Sequence, residues 1–236
     1  MKTIIALSAL LAGSLVANAA EEHIPVESPF NGQDLSGWSG DPTIWSAEDG
    51  TITGRSTAEA PLEANTFLIW NDEVADFEFR VEFKLTGETA NSGVQYRSKV
   101  LDTENWIVAG YQADMDYANR YTGMLFEEQG RGILVSPGRR LEILPGFTMK
   151  APVVRTMAGD TPPGVLKATL RQGDWNALRI VALGNHVRHY VNGVLTAESI
   201  DRDPEHAALS GILALQLHRG PPMTVQFRDL LLRRLP

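Results

Sequence analysis

Six polar side chains fall into three pairs, each pair two residues apart: Gln95 with Arg97, Gln112 with Asp114, and Gln216 with His218. A carboxylate can carry a proton, a guanidinium or imidazole can meet developing negative charge, and amides can grip hydroxyl groups. Such a set has the parts for acid–base work on a polar ligand. A two-residue spacing in an extended strand puts both members of a pair on one side, and Gly110 and Ala214 share those sides and leave room above them. Any half-exposed antiparallel sheet also turns polar residues outward. Gln, Arg, Asp and His are not the Lys, Glu and Thr of routine solvated strands, however, and that choice favours a ligand floor. Glu127 and Glu128 are adjacent, so they face opposite ways and at most one can join the same floor.

The elements that must carry these pairs are strands. Phe77, Phe79, Val81, Phe83 and Leu85 alternate with Glu78, Arg80, Glu82 and Lys84, which predicts a half-buried strand. Trp45 to Gly54 reads as a hairpin closed at Asp49-Gly50, and Gly184-Asn185 and Asn192-Gly193 mark two more turns between Leu178 and Thr196. Further strands are predicted over 93–99, 107–115, 121–127, 211–218 and 224–232. Many short strands with turns between them point to a sandwich rather than to alternating β and α units. In 211–218, Leu213, Leu215 and Leu217 face the core, so Ala214, Gln216 and His218 face out. Residues 136–174 hold five of the thirteen prolines and keep no period. They read as a long surface excursion with one short helix, a loop length that is uncommon without a purpose.

Residues 1–19 have the pattern of an export signal: Lys2, an apolar stretch from Ile4 to Val16, and Ala17-Asn18-Ala19 before the cut. The remaining chain, over 28–235, fits one all-β domain. No later stretch approaches the roughly 20 apolar residues of a membrane helix, so the expected location is the periplasm or the medium. Cysteine is absent, which removes disulfides and a lipidated cysteine. A formal charge of −8 argues against nucleic-acid and anionic-membrane partners, which need a basic surface.

Longer strings are more specific. Asn91-Ser92-Gly93-Val94-Gln95-Tyr96-Arg97, Gly110-Tyr111-Gln112-Ala113-Asp114-Met115, Gly173-Asp174-Trp175-Asn176, Asn192-Gly193 and Leu215-Gln216-Leu217-His218-Arg219-Gly220-Pro221-Pro222-Met223 occur in that order, with Phe227-Arg228-Asp229 near the end. With the opening Phe30-Asn31-Gly32-Gln33-Asp34-Leu35-Ser36-Gly37-Trp38, the ordered set resembles the 3-keto-disaccharide hydrolase family from about Phe30 to Leu235. The resemblance implies a concanavalin A-like jelly roll, a sandwich of two antiparallel sheets whose concave face takes carbohydrate. It further implies cleavage of 3-keto glycosides or disaccharides that a separate upstream sugar 3-dehydrogenase has oxidised.

A C3 ketone acidifies the C2 proton, so removing that proton can expel the C1 substituent, and water then adds back. On this reading Asp114 or Glu128 is the base, Arg97 and His218 stabilise the enolate oxygen, and Gln95, Gln112 and Gln216 hold ring hydroxyls. Trp106 and Tyr117, at the ends of the site strands, could stack on a sugar face, and Arg131 could reach a carbonyl. Each residue also has a plainer reading. Arg97 could pair with Asp114 across neighbouring strands, His218 could simply end a strand, Arg131 could neutralise Glu127 and Glu128, and Trp38, Trp45, Trp70 and Trp175 fit packing. No cofactor is demanded. A divalent metal such as calcium at a loop carboxylate stays open, although His186 and His189 point to opposite faces of one strand. A binding module without a base, using the same face, is the alternative function.

Overall fold

The run that starts at Phe77 forms β5 (Phe77–Thr86) in the computed structural model, which describes residues 25–236. Its five apolar residues are buried and the charged residues between them are partly or fully exposed. The export signal expected over 1–19 lies outside the described residues. β5 runs antiparallel between β12 (Asn176–Leu183) and β16 (Met223–Arg234). On the β12 side the sheet continues through β13 (His186–Val191), β14 (Val194–Asp201), β10 (Arg140–Ile143) and β11 (Val154–Thr156). On the β16 side it continues through β3 (Thr51–Ser56) and β2 (Trp45–Glu48), making nine strands.

The second sheet has seven strands, in the order β1 (Trp38–Ser39), β4 (Thr66–Val74), β15 (Gly211–Leu217), β6 (Asn91–Asp102), β7 (Ile107–Asp116), β8 (Leu125–Glu128) and β9 (Gly132–Val135). Side chains from both sheets meet in one buried cluster, with Phe77, Phe79 and Phe83 facing Val94, Tyr96, Tyr111, Leu215 and Leu217. Each such side chain contributes on the order of 1.5–3 kcal/mol by leaving water. The two-sheet all-β sandwich agrees with the expected jelly roll. One pair departs from the antiparallel rule, because β10 runs parallel to β14.

That pair also revises the reading of 136–174. The segment is not a structureless excursion: β10 and β11 extend the nine-stranded sheet, and α1 (Pro163–Thr169) is the expected short helix. Leu141 and Ile143 are buried, but two apolar positions are too few to show a period. The strand expected over 121–127 is likewise shorter, since residues 121–124 turn and only Leu125–Glu128 pairs. Asp49-Gly50 and Asn192-Gly193 close their hairpins with positive φ at both residues, as expected. Among the described residues no helix is long and apolar enough to cross a membrane.

Candidate active site

The outer face of the seven-stranded sheet carries a cleft of about 480 Å³. Its floor is built from neighbouring strands: Gln112 and Asp114 on β7, Glu128 at the end of β8, and Gln216 on β15. Strict alternation in β15 sends Leu213, Leu215 and Leu217 into the core and leaves Gln216, with His218 just beyond the strand, facing the cleft. On β6, Gln95 shares this side but is fully buried behind Gln112, at 0% exposure. The Gln95 and Gln112 amides meet at 2.9 Å, Gln112 lies 2.8 Å from Asp114 Oδ1, and Gln112 and Gln216 lie 3.4 Å apart.

Both carboxylates of the floor are buried, Asp114 at 3% and Glu128 at 7% exposure. Loss of water raises the Asp114 pKa from 3.8 to about 8, and the nearby charges of Asp116 and Glu128 add to the rise. Burial also raises Glu128, partly offset by Asn65, by the Arg219 charge and by Gln216. Asn65 Nδ2 donates to Glu128 at 3.4 and 3.5 Å, and Gln216 Nε2 donates at 3.3 Å. These contacts are long and neutral, so neither carboxylate has the short charged partner that would hold it ionised. His218 Nδ1 donates to the Arg219 carbonyl at 2.5 Å. Burial lowers its pKa, so the ring is neutral at pH 7 and Nε2 is left as an acceptor.

The structure places other expected site residues outside the cleft. Alternation in β6 breaks at Arg97, where φ is +48° and the register with β7 slips between Tyr96 and Lys99. The bulge turns Arg97 off the Gln95 face. Its guanidinium pairs with Asp76 at 2.7 Å, not with Asp114, and donates to the Ala75 and Gly184 carbonyls. Arg131 likewise faces away, bound to Glu127 and Asp201 at 2.6 Å each. Trp106 packs on the apolar patch of Phe67, Ile69, Val108 and Ala214, and Tyr117 packs against the main core. Neither ring lines the cleft. Asp116 accepts backbone N–H groups from Arg120, Tyr121 and Thr122, which fixes the loop that brings Tyr121 to the cleft wall.

Several lining residues carried no strand-period signal. Asn65 precedes β4, Asn91 opens β6, Gln129 follows β8 and Arg219 follows His218. Asn91 and Arg219 stand inside the strings quoted above, which was the available clue. Asn91 Oδ1 is buried without a protein partner. Asp114, Glu128 and His218 could offer atoms to a cation. Among the described residues, however, no three His, Cys, Asp or Glu side chains are gathered to hold one. His186 sits near the surface beside Glu198, whereas His189 is buried against Tyr96.

Over residues 25–233 the chain matches the family described as 3-keto-alpha-glucoside-1,2-lyase-like domain. A crystal structure from Parabacteroides distasonis, provisionally named a glycosyl hydrolase, is 19% identical with a TM-score of 0.58, covering 89% of this chain and 100% of its own. The carbohydrate binding module CBM66 from Bacillus subtilis is 16% identical with a TM-score of 0.53, covering 84% of this chain and 95% of its own. At these identities the two structures show the fold alone. No curated protein matches the sequence.

Proposed function

The chain belongs to the 3-keto-alpha-glucoside-1,2-lyase-like family, and from that premise we propose that it cleaves glycosides whose C3 hydroxyl has been oxidised to a ketone. The observation that carries this reading is the pair of buried carboxylates, Asp114 and Glu128, on the floor of a cleft wide enough for a sugar ring, with both pKa values raised. A group that ionises near the working pH can both give and take a proton.

Glu128 takes the C2 proton, and the C–H electron pair moves into an enolate spread over C2, C3 and the C3 oxygen. The enolate collapses, C3=O reforms, a C1=C2 double bond forms and the C1–O bond breaks. The departing alkoxide takes a proton from Asp114 and leaves as an alcohol. Water then adds across C1=C2, with hydroxyl at C1 and hydrogen at C2, to give net hydrolysis. Arg219, the cation that lies by Glu128 in the cleft lining, meets the negative C3 oxygen. His218 Nε2, Asn91 Oδ1 and the Gln112 and Gln216 amides bind hydroxyls. A dehydrogenase that oxidises sugars at C3 must act first. The same reading puts the mature chain outside the inner membrane, in the periplasm or the medium, with the signal over 1–19 removed. N-terminal sequencing of the exported protein checks that cut.

The test offers purified protein 3-keto and unoxidised α- and β-glucosides in D₂O, with and without chelator, and follows alcohol release and deuterium at C2. Release that needs the 3-keto group and carries deuterium to C2 is the expected result. Sugar binding with no release from any 3-keto glycoside overturns the enzyme and leaves a carbohydrate-binding module.

A further inference from the structure

We infer that Gln95, acting through Gln112, holds Asp114 as an uncharged acid with its proton on Oδ1, so that Glu128 alone is left as base. The assignment of the base rests on the reaction proposed above; the location of the proton does not.

The argument starts at Gln95, which has no open surface. One end of its amide faces the Gly110 carbonyl at 3.2 Å, the Tyr111 carbonyl at 3.0 Å and Ser98 Oγ at 2.7 Å; the other end faces Gln112 at 2.9 Å. Carbonyl oxygens only accept hydrogen bonds, so the NH₂ group of Gln95 belongs on their side. The reverse orientation would press its oxygen against two carbonyl oxygens, a buried clash that one serine hydroxyl does not offset. The Gln95 oxygen therefore faces Gln112, and Gln112 must turn its own NH₂ toward it. That leaves the Gln112 oxygen 2.8 Å from Asp114 Oδ1. Two bare acceptors do not sit that close, so Oδ1 carries the hydrogen between them.

The turned Gln112 oxygen lies 3.4 Å from Gln216 Oε1, far enough that the two acceptors are not pressed together, and the neighbours on the Asp114 side agree. Asp114 Oδ2 has only the Asn91 amide, at 3.4 Å. Asp116 on the same strand and Glu128 on β8 both disfavour a second negative charge here. His218 is neutral, and Arg219 lies on the Glu128 side. Burial independently keeps the Asp114 carboxyl protonated up to about pH 8. Beyond Gln112 the chain of amides loosens, with 3.4 Å to Gln216 and 3.3 Å from Gln216 to Glu128. The Asn65 amide, the Arg219 charge and the Gln216 N–H favour ionised Glu128 against its burial.

Gln95 is a positioning residue on this account, and infrared spectroscopy tests it. At pH 6 the wild type should show a protonated-carboxyl C=O band that Asp114→Asn lacks. In Gln95→Met, Gln112 is free to rotate and donate to Asp114. The midpoint at which the band disappears should then fall by at least one pH unit, and the alkaline limb of the rate profile should move with it. Absence of the band in wild type overturns the inference, and so does a midpoint that Gln95→Met leaves in place. If Gln95→Met does not fold, the wild-type and Asp114→Asn spectra still decide where the proton is. A band without turnover of any 3-keto glycoside would sink the reaction and keep the proton, whereas turnover without the band would do the reverse.

Discussion

Glu127 and Glu128 are consecutive on β8, yet they serve two different buried clusters. Glu127 turns to Arg131, which donates to it through Nε at 2.6 Å and through Nη2 at 3.1 Å. Asp201 takes a further Arg131 bond at 2.6 Å and the Tyr111 hydroxyl at 2.5 Å. Every charge there has a short, opposite partner. Glu128 turns to the cleft, where it and Asp114 meet only amides. Burying a charge without a counter-charge is costly and shifts its pKa. The paired cluster spends its charges on holding the strands together; the unpaired one stores the cost as proton affinity.

Removing one member from each side should separate the two roles. Glu128→Gln keeps the shape of the cleft and should lower turnover of a 3-keto glycoside by about 10²- to 10⁴-fold, the usual worth of a positioned acid or base, with the denaturant midpoint nearly unchanged. Arg131→Met leaves Glu127, Asp201 and the nearby Asp203 facing one another without a cation. It should cost about 3–5 kcal/mol in urea unfolding, with little effect on KM for the fraction still folded. Equal effects of both substitutions on stability would erase the distinction.

The two clusters were not equally legible in the sequence. A period of two placed Gln112, Asp114, Gln216 and His218 on one side, because β7 and β15 send alternate residues to the core and the cleft and His218 follows directly on the end of β15. The same rule put Arg97 beside Gln95 and missed the bulge, since nothing in Tyr96-Arg97-Ser98 marks a residue that takes φ of +48°. Adjacency told that Glu127 and Glu128 part ways. Which of them meets the cleft depends on Arg131 and Asp201, and Asp201 is 70 residues farther along the chain than Arg131. Asn65 and Arg219 come from strand ends, where periodicity stops. The strands β10 and β11 escaped notice because each is only three or four residues long.

Acid and base offer a gentler way to sharpen the contrast. Asp114 has a folded pKa near 8 against 3.8 for a free aspartate, so between those values the folded chain holds a proton that the unfolded chain has lost. Its contribution to stability is fully present below about pH 4 and is lost as pH rises through about 8, at a slope of roughly 1.4 kcal/mol per pH unit. Asp114→Asn supplies a permanent N–H in place of that proton and should flatten this part of the profile. A wild-type profile with no descending component removed by Asp114→Asn would place the proton elsewhere.

The smallest predicted changes come from one glycine beside each cluster. A Cβ on Gly93 would stand 2.4 Å from the Gln112 amide carbon, and one on Gly130 would stand 2.7 Å from Glu127 Cγ. In both cases the obstacle is a buried side chain held by hydrogen bonds, so Gly93→Ala and Gly130→Ala should each cost about 1–3 kcal/mol, the usual range for overpacking. Their functional consequences should differ. Gly93→Ala displaces Gln112 from Asp114, so it should lower kcat and move the alkaline limb of the rate profile. Gly130→Ala strains a contact within the Arg131 cluster and should leave that limb where it is. A shared stability loss with only Gly93→Ala moving the pH profile would show that the amides beside Asp114 tune chemistry, whereas matching profiles would reduce Gly93 to packing.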